Sequence, residues 1–159
     1  MRQVHEAATI IEHLALNHPG PVALVPDDPA AAIEARMLDR VFDNYVMTPM
    51  QKLVSDSMRA EADGDSVGSG QARAKLDAIY IWLDARMMER EWAAGAFGLA
   101  DCAAAPSLFY ADWVHRIAPS FTHLRAYRAR LLARPSAARC VEEARPYRSY
   151  FLPGAPDRD

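Results

Sequence analysis

The side chains able to do chemistry are few and scattered in this chain. Its five histidines are His5, His13, His18, His115 and His123. None stands in an HExxH spacing, and no cysteine or carboxylate spacing completes a zinc set. They read as surface or interhelix packing residues, and no metal site is expected. Glu142-Glu143 and Asp27-Asp28 are solvated charges at helix ends rather than paired acid and base. Cys102 and Cys140 lie far apart, and their apolar neighbours Ala103, Ala104 and Val141 suggest two buried thiols. No GxSxG, phosphate-binding loop or GxGxxG is present. No catalytic residue is assigned.

The arginines at 125, 128, 130, 134, 139, 145 and 148 form the one basic region. Acidic residues interleave with them and no recognition motif accompanies them, so no nucleic-acid partner is expected. The net charge of −3 gives no global attraction to nucleic acid or anionic lipid. All the basic residues except Lys52 and Lys75 are Arg, a bias that fits a GC-rich genome. No apolar run approaches the roughly 20 residues of a membrane span, and residues 1–6 carry no apolar leader core. The cytoplasm is the default compartment. With 51% hydrophobic and 25% charged residues over 159 positions, one globular domain is expected.

Helical spacing runs through most of the chain. Ala7, Ile10, Ile11, Leu14 and Ala15 predict a helix over 6–16, closed by Asn17-His18-Pro19-Gly20-Pro21. Asp28-Pro29 opens a long helix as N-cap and first position. Its apolar stripe is Ile33, Met37, Val41 and Tyr45, with Leu38 and Phe42 beside it. Pro49 predicts a kink with Thr48 off helical geometry, then helix to about Arg59. Residues 62–70 read as a polar loop and 71–90 as a second long helix, facing inward through Ala72, Leu76, Ile79, Tyr80, Leu83 and Met87. The most apolar helix spans 99–115 and belongs at the centre. Helices over 122–133 and 135–144 follow, then an irregular tail. No strand is expected: the fold class is all-α, a bundle of about six helices.

The central helix has a marked start. In Ala94 to Tyr110, AGAFGLADCAAAPSLFY, Gly98 stands at the N-cap and Asp101 three residues on. The Asp101 carboxylate can accept the Gly98 N–H, half of a capping box. Serine at 98 would be expected to be neutral or slightly stabilising.

This segment resembles the start of the core helix in cytosolic glutathione transferases, written (L/A)AGxxF(S/T)LAD. Asp101 matches, and Gly98 replaces the family's Ser or Thr. Arg134-Pro135-Ser136 resembles the RPS before the family's last helix. VHEAATIIEHL, beginning at Val4, is similar to the ES-xx-I-xx-YL opening of the final helix of the family's thioredoxin-like domain. Glu6 matches the acid, and Ala7 replaces the serine that usually holds the γ-glutamyl group. The resemblance runs from about Val4 to Phe151.

The resemblance implies a division: residues 1–18 as the last helix of a thioredoxin-like domain, 19–28 as linker, 29–159 as the helical C-terminal domain. It implies glutathione as co-substrate, contacted here by Glu6 and Ala7. It implies a pocket for a small apolar electrophile, with Tyr45, Met47, Met50, Phe109, Tyr110, Trp113 and Phe151 as candidates, though plain core packing is an alternative for each. It implies a homodimer through the first two long helices. The thiol-activating residue belongs to the family's thioredoxin-like domain, so this chain alone is expected to be inactive. The alternative is a non-catalytic helical module that binds a protein partner or an apolar ligand.

Overall fold

The computed structural model describes residues 3–159, and Met1 and Arg2, where the N-terminal segment begins, lie outside the described residues. Among the described residues there are seven α-helices: α1 Ala7–Asn17, α2 Pro29–Val41, α3 Thr48–Ser57, α4 Ser66–Met87, α5 Leu99–Val114, α6 Thr122–Ala133 and α7 Pro135–Ala144. A π-helical turn, Phe42–Met47, joins α2 to α3 in one rod, so the described residues form six helical rods. Short 3₁₀ segments occur at Glu61–Asp63 and Arg145–Tyr150. No strand forms among the described residues; the pairing of Trp92 with Gly95 is an isolated bridge around a glycine at φ 98°.

The helix runs on through Pro49, and Thr48 is not pushed off helical geometry as expected. Thr48 keeps helical dihedrals, φ −58° and ψ −52°. Proline has no N–H and its ring crowds the carbonyl four residues back. The extra residue of a π turn absorbs both effects, and the Thr48 N–H and Oγ1 both donate to the Asp43 carbonyl. The buried face also differs from the expected stripe. Ile33, Met37 and Tyr45 are exposed, whereas Ala35, Leu38, Phe42 and Val46 point inward. A third correction concerns α4, which begins at Ser66 rather than 71. Asp65 caps it by accepting the Gly68 N–H at 2.8 Å, and Lys52 holds Asp65 at 2.5 Å. Cys140 is exposed and Cys102 half-buried, so neither is the buried thiol expected.

The core joins Leu38, Phe42 and Val46 to Leu76, Tyr80 and Leu83 of α4 and to Ala104, Leu108 and Ala111 of α5. Leu124, Tyr127 and Leu131 of α6 close it. Burying this much aliphatic and aromatic surface is the main drive of the fold, at roughly 25 cal/mol per Å² of apolar area.

One buried carboxylate fixes the centre. Asp101 accepts the Gly98 N–H at 2.9 Å, as the cap spacing predicts. It also accepts the Ala93 N–H at 3.0 Å and the Tyr127 hydroxyl at 2.6 Å. Burial and the Asp101 charge push the Tyr127 phenol well above its ordinary value, so it stays a donor. Gly98 has φ −161°, extended backbone open to any residue, so conformation does not require glycine there. Space does. A Cβ at 98 would sit 2.7 Å from the Leu24 carbonyl oxygen, which accepts the Leu99 N–H at 2.8 Å.

Two outcomes follow for urea melts. Asp101→Ala strands two N–H groups and a phenol in the core and should lower stability by about 3–5 kcal/mol. Gly98→Ser, contrary to the cap argument, should destabilise by about 1–3 kcal/mol through overpacking against Leu24. A Gly98→Ser midpoint at or above wild type would show that the connector yields freely.

Candidate functional site

The second half of α5 carries Phe109, Tyr110 and Trp113 within little more than one turn. Phe109 lies 4.6 Å from Trp113 between ring centroids and 5.0 Å edge-on to Tyr110. Phe151, arriving from the C-terminal segment, stacks on Tyr110 at 5.8 Å and meets Trp113 edge-on at 5.2 Å. Val141 and Ala144 of α7 with Tyr147, Arg148 and Tyr150 of the 3₁₀ turn complete a cavity of about 240 Å³. Aromatic faces and edges in this density suit a flat apolar guest. Two polar features stand at its wall. The Arg148 guanidinium lies 5.4 Å from the Trp113 ring centroid. The Trp113 indole N–H is buried with no acceptor among the described residues, a donor able to orient a guest that carries one.

Of the seven pocket candidates, the structure brings together Phe109, Tyr110, Trp113 and Phe151. Met50 is core, Met47 packs against the core, and Tyr45 is exposed on the α2–α3 rod. Their helix turns its inner side to α4 and α5, not toward the C-terminal segment. Tyr147, Arg148 and Tyr150 went unrecognised because Pro146 and the lack of apolar periodicity made this stretch read as irregular tail. The Tyr147–Tyr150 spacing of three was the available signal.

Glu6 and Ala7 are exposed at the start of α1. Glu6 stands at φ 68°, the one described non-glycine residue with positive φ. Such a conformation costs about 1–3 kcal/mol and is kept where neighbours enforce it. No side chain caps α1, so its first-turn N–H groups face outward as an anion-attracting end. Helix α1 buries none of its residues fully, and Ile10, Leu14 and Leu16 are exposed. It is held by the two-pronged Glu12–Arg36 bridge at 2.8 Å, which keeps the Glu12 carboxyl below its ordinary range. Between α1 and the connector lies an open groove of about 510 Å³, lined by Glu12, Leu16, Val22 and Leu24 among others.

Cys102 is an unsuitable nucleophile: burial, and then the Asp101 charge, push its thiol up. Among the described residues no group of His, Cys, Asp and Glu is arranged to hold a metal ion. No helix is long and apolar enough to cross a membrane among the described residues.

Residues 30–130 match the family model for the C-terminal domain of glutathione S-transferase. With more than half its length matched, the chain belongs to that family. It is similar in structure to a glutathione S-transferase of Methylobacterium radiotolerans solved with glutathione sulfonate. There the TM-score is 0.73 and the identity 26%, over 86% of this chain and 65% of that one. A glutathione S-transferase of Methylobacillus flagellatus with glutathione bound gives TM-score 0.76 at 23% identity, over 86% and 68%. A glutathione transferase of Burkholderia graminis, with two glutathione molecules bound per subunit, gives 0.75 at 21%, over 89% and 61%. This chain therefore spans about two thirds of the length of these structures. No curated protein matches it.

The aromatic cavity makes a direct test possible. A flat fluorescent aromatic probe should bind, and Phe151→Ala should weaken it about fivefold to tenfold by removing one stacking wall. An affinity unchanged by that substitution would place the probe elsewhere.

Proposed function

We propose that this chain is the helical half of a glutathione transferase, with residues 1–18 the last helix of a thioredoxin-like domain, 19–28 a linker and 29–159 the domain that receives the electrophile. The carrying observation is the strained, uncapped start of α1. A helix N-terminus attracts a carboxylate, and the adjacent Glu6 carboxylate attracts an ammonium. Together they suit the zwitterionic end of a γ-glutamyl group, as the resemblance of Glu6 and Ala7 implies. The bound relatives support glutathione as co-substrate, and the cavity of Phe109, Tyr110, Trp113 and Phe151 supports a small apolar electrophile as the acceptor.

On this reading the chain alone does not turn glutathione over. A free thiol with a pKa of about 8.5 is mostly protonated at neutral pH. Lowering that value takes a donor aimed at sulfur, and the Glu6 negative charge would raise it. The expected result is an initial rate with reduced glutathione and a chromogenic aryl halide no faster than the uncatalysed one. Saturable turnover lost in Glu6→Ala would overturn this account. Sequencing the DNA upstream of the Met1 codon tests the domain assignment. A strand-rich open frame with a Cys, Ser or Tyr near its start supports it. A stop codon behind a ribosome-binding site favours the second reading, a non-catalytic helical module for a protein or apolar ligand. Ala7 in place of a hydroxyl residue is what speaks for that reading.

A homodimer is part of the proposal. Ile33 and Met37 on α2, with Ile81 and Trp82 on α4, are exposed apolar side chains. Glu34 ties the two helices by bonding Arg86 and Arg90. Such clusters on a soluble protein mark association surfaces. The cytoplasm fits, since an exposed free Cys140 is stable in a reducing compartment. Light scattering at micromolar concentration should give a dimer, and Ile81→Glu with Ile33→Glu should give a monomer of unchanged helicity. A wild-type monomer would remove the dimer from this account.

A further inference from the structure

We propose that the arginine-lined depression where α5 and α6 meet the chain's last residues is a binding site for a phosphate-type oxyanion. It goes beyond the glutathione reading and does not depend on it. The depression, about 160 Å³, is lined by Arg116, Arg125, Arg128 and Arg158 with Asp112 and Asp159. Four guanidinium groups thus face two carboxylates, within a chain whose net charge is −3.

Both side-chain carboxylates also have partners outside the arginine cluster. The Asp159 side chain turns to Arg145 and Arg148, outside the depression. Asp112 spends Oδ1 on the Ile117 N–H at 2.8 Å. Its Oδ2 lies 3.7 Å from Arg128 Nη2 and 3.5 Å from Arg158 Nε, too far for hydrogen bonds to either. Those two nitrogens are buried and without an acceptor among the described residues.

The hydrogen bonds that the inner arginines make go to main-chain oxygens. Arg128 donates to the Leu108 carbonyl at 3.2 Å and the Asp159 main-chain oxygen at 3.2 Å. Arg158 donates to the Asp112 carbonyl at 2.7 Å. These main-chain oxygens fix the two guanidinium groups in place. Burial lowers the Arg128 pKa against the attraction of Asp112, and the repulsion of Arg158 adds a smaller push in the same direction as burial. At the rim, Arg116 and Arg125 are exposed, and Arg125 makes one long bond to the Ile117 carbonyl at 3.4 Å. Their remaining N–H groups are available to a ligand. Planar donors fixed below and mobile ones at the rim suit a tetrahedral dianion. The volume admits one phosphate group rather than a polymer backbone.

Calorimetric titration of the full chain with sodium phosphate at pH 8 is the test. Sodium chloride of equal ionic strength and glycerol phosphate are the parallel arms. We expect saturable binding of phosphate, no saturable heat with chloride, and a loss of about tenfold or more in the double variant Arg116→Gln/Arg125→Gln. Both positions are exposed, so thermal melts of the variant should match wild type. Tighter binding of glycerol phosphate would assign the site to a phosphate ester, and tighter binding of the free ion to inorganic phosphate; both support the proposal. Absence of saturable binding, an equal response to chloride, or an affinity unchanged in Arg116→Gln/Arg125→Gln overturns it. Should the double variant melt early, Arg116→Gln alone carries the same comparison.

Discussion

The fold rests on one carboxylate with three donors. Asp101 is fully buried, and among the described residues no arginine or lysine bonds it. Its partners come from three segments: the turn before α5, the first residue of that helix's cap, and Tyr127 on α6. A carboxylate in an apolar interior is costly unless its lone pairs are filled, and here the helix N-terminus adds its own positive end. Because the three donors approach from different directions, the start of α5 can occupy one position only. Everything along α5 inherits that placement. Phe109 and Trp113, two to three turns further on, meet Phe151 because the first turn of the same helix is pinned.

The same device recurs at the other joints. Asp28 accepts the Ala31 N–H, Asp65 the Gly68 N–H, Asp84 the Leu124 N–H and Asp112 the Ile117 N–H. Each aspartate satisfies a backbone donor that a helix start or turn would otherwise leave open. One of them, Asp84, reaches across 40 residues of sequence, so it fixes how α4 and α6 meet and not merely where a helix begins. Around this frame the arginines act differently. Arg134 covers the Phe97 ring at 3.4 Å, and Arg130 lies over Trp92, fastening the turn before α5 to α6. Aspartates set the backbone and arginines cover the aromatics.

Those joints explain what was legible in the sequence. Helices α6 and α7 and the cap of α2 carried local signals, a proline or an aspartate at a fixed place, and local signals suffice where local chemistry decides. The face of α2 was not legible. Its outer residues Ile33 and Met37 are as apolar as its inner Leu38 and Phe42, so periodicity offers two stripes and only the neighbouring helices choose between them. The start of α4 was hidden because Gly68 and Gly70 suggest a loop. What makes it helical is Asp65, held from α3 by Lys52, a contact set by tertiary structure. The cavity was half legible for the same reason. Phe109, Tyr110 and Trp113 lie on one helix, whereas Tyr147 and Tyr150 reach it only because the C-terminal segment folds back.

The glycine at 98 shows how local and distant order became joined. A hydroxyl side chain at this place would cap α5 from within its own sequence. Here the first N–H of α5, that of Leu99, is instead satisfied by the carbonyl of Leu24, in the connector after α1. That carbonyl fits only because residue 98 has no Cβ. The first turn of α5 is thus tied to a distant segment of the chain. The core helix can begin well only while the connector is docked, and the connector carries α1 with it. Glu6, at the strained head of α1, is therefore linked through Leu24 and Gly98 to the helix that holds the aromatic cavity. The two halves of the proposed site share one backbone hydrogen bond as their common reference, and a displacement of the connector would be felt at both.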